Sequence, residues 1–164
     1  MLLMIIKKNF LFLILIIFSS ICHADDYQDA RKAEEKKDYV TALAKYRKSA
    51  EKGNANAMNR IGFLFHTGDG VVKSNEEAIR WFKLAATKGQ TNSMFHLGYL
   101  YSEGMGVPQN YEIAHMWFNL SVANGDELAI GNRNYVEKKM SRESIANAQR
   151  MAIQCKEKGY ENCY

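Results

Sequence analysis

From Asp38 to Met140 the apolar residues fall at intervals of three and four, the period of helices that bury one face. After Ser74 they are Ala78, Ile79, Phe82, Ala85 and Ala86. Ser74 with Glu77 three positions on has the form of a capping box. Gly89 supplies the residue without Cβ that lets a helix end in the left-handed conformation. A second helix is expected from about Asn92 to Glu103, carrying Met94, Leu97, Tyr99, Leu100 and Tyr101. The same two-helix reading fits Asp38–Lys52 with Asn56–Thr67, and Tyr111–Asn124 with Asp126–Met140. No segment alternates apolar and polar residues long enough to predict a strand, so the expected class is all-α.

This pattern repeats. Ala42, Ala78 and Ala114 are spaced 36 residues apart, as are Tyr46, Phe82 and Phe118, and Gly53, Gly89 and Gly125. Gly62 pairs with Gly98, and Trp81 with Trp117, at the same interval. A period of this length marks a supersecondary unit stacked in an array, here 38–73, 74–109 and a degenerate 110–140. Gly62 and Gly98 fall in mid-helix, where Gly costs about 1 kcal/mol relative to Ala. Close helix approach offsets that cost if an aromatic ring, of Tyr46 or Phe82, lies over the bare backbone. The pairs Gly68/Gly70 and Gly104/Gly106 mark the loops between units, where positive φ is expected.

At Ala78–Gly89, Met94–Tyr101 and Gly104–Asn110 the chain resembles the Sel1-like repeat family, relatives of the tetratricopeptide repeats. The resemblance implies an α/α superhelical solenoid of stacked antiparallel helix pairs. The first copy departs by having Lys45 where Trp81 stands and Phe65 in place of Tyr101. The third has Asn134 in place of the helix glycine and lacks a Gly-x-Gly loop, as a terminal copy would. Residues 25–37 read as a preceding partial helix.

The two ends complete the domain plan. Lys7 and Lys8, the apolar run Phe10–Phe18, and Cys22-His23-Ala24 have the three-part layout of a secretory leader, 1–24. The run is too short for a membrane anchor, so no stable insertion is expected after cleavage. Removal of the two lysines lowers the formal charge from +4 to +2, too mild a balance to argue for nucleic acid. It leaves Cys155 and Cys163 as a pair in an exported setting, which reads as a disulfide. Residues 141–164 then form a capping helix, with Ser141 as its cap and Ile145, Ala148, Met151, Ala152 and Cys155 as its apolar stripe. The expected location is periplasmic or secreted.

Candidate chemistry is sparse. His66, His96 and His115 occupy three different repeat positions and read as surface or boundary residues; no metal or cofactor is expected. Ser49-Ala50-Glu51-Lys52 fits the Ser-x-x-Lys signature of penicillin-recognising enzymes, but about one such match is expected by chance. Cysteine-rich relatives of the repeat family bind or slowly hydrolyse β-lactams, yet carry a disulfide in every repeat, which this chain lacks. Glu76 and Glu77 are explained by the dipole of a first helical turn, and Trp81 and Trp117 by at least partial burial. Lys45, Lys48, Arg80 and Lys83 are the candidate partner-binding residues. The resulting expectation is a non-catalytic scaffold that holds another protein or peptide on a concave surface. A β-lactam-binding or cell-wall-directed hydrolase is the alternative.

Overall fold

The computed structural model describes residues 26–161 and Cys163, so the expected leader, Met1–Ala24, lies outside the described residues. The described residues form eight helices and no strand. They belong to two compact units, Met1–Asn54 and Ala55–Tyr164.

In the first unit, helix α1 covers 26–35 and α2 covers Tyr39–Glu51. Lys37, at φ 61°, turns the chain between them. Asp38 then caps α2, its carboxylate accepting from the Thr41 N–H at 3.1 Å. Hydrogen bonding from Thr41, its side chain first and this N–H second, holds the Asp38 carboxyl below its ordinary range. Tyr46 is fully buried, its hydroxyl donating to Glu34 at 2.6 Å and its ring 5.7 Å from that of Tyr27.

The second unit contains α3 (Ala55–Thr67), α4 (Asn75–Ala86), α5 (Thr91–Glu103), α6 (Tyr111–Ala123), α7 (Leu128–Glu137) and α8 (Arg142–Glu157). α3 packs on α4, α4 on α5, α5 on α6, and α6 against both α7 and α8. α4 and α6 start 36 residues apart, as do α3 and α5, so the sequence period is the structural period. The caps keep it too. Ser74 accepts from Glu77 N–H at 3.2 Å and Asn110 from Ile113 N–H at 3.0 Å. Only half of the expected capping box forms, because the Glu77 carboxylate turns instead to Arg80. Gly89 takes φ 77° after α4, and the four loop glycines are likewise at positive φ.

The core is built from the inward faces of these helices: Phe82 on α4, Met94, Leu97 and Leu100 on α5, and Met116, Trp117, Phe118 and Leu120 on α6. The mid-helix glycines lie under aromatic rings, although Tyr46 is not one of them. Phe82 covers Gly62, and Phe118, twenty positions past Gly98, covers Gly98. At the end of the array both partners vanish together, since Asn134 and Gln154 hold those columns and both are exposed. α7 is shorter than the Asp126–Met140 expected from sequence. Asp126 stays outside the helix, accepting from the Leu128 N–H and the Ser121 hydroxyl. Ser141 caps α8 by accepting from Ser144 N–H at 3.1 Å, and α8 closes the α6 side of the core.

Candidate partner-binding site

α4 buries Ala78, Ile79, Phe82, Ala85 and Ala86 and leaves a second stripe, Arg80, Lys83, Leu84 and Thr87, on its other side. Those four residues recur at helical spacing and therefore share one face. With Trp117 of α6 and Tyr160 and Cys163 of the tail they line an open groove of about 620 Å³. Leu84 is 50% exposed there, whereas Trp117 is almost wholly covered. The indole N–H of Trp117 is buried and meets no acceptor among the described residues.

The tail reaches this position because Cys155 at the end of α8 is disulfide-bonded to Cys163, with their Cα atoms 5.4 Å apart. Between them Gly159 and Tyr160 both adopt left-handed backbone, φ 64° and 65°. For Tyr160 that conformation is unfavourable and is held by its surroundings. Its N–H donates to Cys155 O at 2.9 Å, and its hydroxyl donates to Asn124 at 3.2 Å.

The two cations of the groove differ. Arg80 is exposed on the rim and hydrogen-bonds Glu77. Lys83 is half-buried, its Nζ 5.8 Å from the centre of the Tyr101 ring, and it forms no ion pair among the described residues. The other two candidates lie on α2. Lys45 is engaged by Asp29 at 3.5 Å and Asp26 at 3.9 Å, while Lys48 is exposed. Ser49 of the Ser-x-x-Lys match is fully buried, its hydroxyl meeting no hydrogen-bond partner among the described residues, and Lys52 is ion-paired with Asp26. That hydrogen bond from Lys52 is the chief cause of the lowered Asp26 pKa. A buried hydroxyl beside an engaged ammonium is not an accessible nucleophile.

The histidines lie apart. His66 hydrogen-bonds Asn75 at 2.8 Å, and His96 stacks on Phe82 with ring centres 4.7 Å apart. Loss of hydration pushes the His96 pKa down to about 4, with the charges of His66 and Arg60 adding to the effect. His115 corrects the surface expectation, being wholly buried. Asn119 donates to its Nδ1 at 3.0 Å, which leaves Nε2–H to donate to Glu137 at 2.7 Å; Arg133 donates to Asn119 at 3.2 Å. The signal was present in the repeat, since the His115 column is otherwise Leu43 and Ile79, both buried. Leu84, Thr87 and Tyr160 were also missed. The first two complete the 80, 83, 84, 87 stripe and were legible from spacing; the third depends on where the disulfide carries the tail.

Three Sel1 repeats match this chain, over residues 28–54, 55–90 and 91–126, and the chain belongs to the Sel1 repeat family. The second and third matches frame α3 with α4 and α5 with α6, the two most extensive helix pairings of the second unit. Sel1 repeat folds typically serve protein–protein interaction as non-catalytic scaffolds.

Several solved structures are similar, two of them repeat proteins of this kind. One is a protective antigen present in uropathogenic Escherichia coli strains displaying an SLR fold, at TM-score 0.79 and 27% identity over 86% of this chain. The other is a Sel1 repeat protein from Oxalobacter formigenes, at TM-score 0.64 and 28% identity over 68% of this chain. The matches span 31% and 47% of those longer chains. No curated protein matches. No described helix is long and apolar enough to cross a membrane, and the disulfide is compatible with an extracytoplasmic setting.

Proposed function

We propose that this chain is an exported scaffold that holds another protein or peptide, in envelope function or host interaction, with Arg80 and Lys83 at the working surface. One observation carries the reading: α4 is buried on one side, yet its second stripe stays open along a groove walled by Trp117 and Tyr160. That stripe sets an exposed apolar residue, Leu84, on one face with two cations, a composition suited to contact with a partner. The leader 1–24 delivers the chain, repeats 38–73, 74–109 and 110–140 form the platform, and 141–164 closes it. Lys45 and Lys48 add a second basic surface on the first repeat.

The test is affinity capture from envelope extract and from host lysate with the mature chain and its Arg80→Glu/Lys83→Glu variant. A specific protein retained by the former and lost by the latter supports the reading. Capture of nothing, or equal capture by both, contradicts it.

A further inference from the structure

We propose that the occupant of the α4–α6–tail groove is an extended segment that sets acidic side chains beside one bulky apolar side chain. This rests on the scaffold reading and names the chemistry of its partner. Leu84, the Trp117 ring and Tyr160 form the apolar part of the lining, wide enough at about 620 Å³ for a large side chain and adjoining backbone. Arg80 and Lys83 stand three residues apart on one helix and line the same groove, so two anionic groups beside the apolar residue meet two cations.

Neither cation is fully committed. A guanidinium has five N–H donors and Glu77 engages Arg80 from one side, while Lys83 has a ring neighbour but no carboxylate among the described residues. Among the described residues, every charged side chain lining the groove is positive, which disfavours a basic segment.

The experiment uses the mature, disulfide-bonded chain and three blocked peptides in isothermal titration calorimetry. The first sets two glutamates on each side of a phenylalanine, the second replaces the glutamates by lysines, and the third replaces the phenylalanine by serine. The acidic phenylalanine peptide should bind, and both other peptides should bind at least about tenfold more weakly. Arg80→Glu/Lys83→Glu, checked for unchanged helicity, should weaken the first peptide by about tenfold or more, whereas Lys138→Glu, exposed just past α7, should leave it unchanged. Equal binding of acidic and basic peptides, or insensitivity to the double substitution, overturns the inference. So does self-association of the chain that Arg80→Glu/Lys83→Glu abolishes, because the occupant is then a second copy. If a partner is captured by affinity but the acidic peptide does not bind, this inference fails and the scaffold reading stands. If neither occurs, both fail.

Discussion

Gly98 lies directly beneath the Phe118 ring, so that a Cβ on Gly98 would stand 2.7 Å from Phe118 Cδ1. Phe118 is almost wholly buried, and its ring has little room to retreat. The helix-propensity cost of this glycine is therefore offset by the closeness it permits between α5 and α6.

Substitution separates the two effects. Gly98→Ala should destabilise the fold by about 1–3 kcal/mol through overpacking, although Ala is the better helix former. Gly131 on α7 has no neighbour within 4 Å of an added Cβ. Gly131→Ala should therefore stabilise by about 0.5–1 kcal/mol. Urea unfolding of the two variants measures both, and effects of equal sign would contradict the packing account.

The repeated tryptophans should also behave unequally. Periodicity assigns Trp81 and Trp117 the same role, but Trp117 is 1% exposed and Trp81 is only partly covered. Trp117→Ala should cost about 3–5 kcal/mol by opening a cavity, and Trp81→Ala distinctly less. Thermal melts of the two variants check the order, and the reverse order would contradict the core role of Trp117.

How much could be read in advance follows from the same residues. Helix spacing, the Ser74 cap and the 36-residue columns are local or periodic properties, and they carry the fold class and the order of elements. The faces of individual helices were legible as far as the columns were used, and the buried His115 shows a column that was not. Which ring covers Gly98 is a matter of how α5 meets α6, and local spacing does not encode it. The groove depends on the disulfide-held Tyr160, placed by a loop whose path no periodicity predicts. Arg80 and Lys83 came from the sequence; the wall that makes them a site did not.

Stability should fall in mildly acidic solution because of His96. Its folded pKa of about 4 lies below the ordinary 6.5, so the unfolded chain takes the proton first. Stability is therefore lost as pH drops from about 6.5 to about 4 and levels off below that window. The full shift corresponds to roughly 3 kcal/mol, and screening at a half-buried ring reduces the expected loss to about 2 kcal/mol. His96→Phe, which keeps a ring against Phe82, should flatten this slope. Urea midpoints for both proteins at pH 7 and pH 5 give the comparison; parallel falls would remove His96 as the cause. Asp26 acts in the same direction in a lower window, because the Lys52 hydrogen bond holds its pKa down.

Reduction of Cys155–Cys163 should loosen the tail without dissolving the repeats. Closing so short a loop contributes about 2–3 kcal/mol in the chain-entropy model. Freed of the bond, Tyr160 should leave its strained conformation and uncover Trp117. Tryptophan emission should shift to the red while most far-ultraviolet helical signal persists. Unchanged emission, or collapse of all helicity, would contradict this division.

The claim that the open stripe of α4 is the working surface is tested most directly by amide hydrogen exchange with a captured partner bound and removed. Protection is predicted to concentrate at α4 around Arg80–Thr87 and at the tail around Tyr160. Protection confined to α3, α5 and α7, with α4 and the tail unchanged, would contradict it.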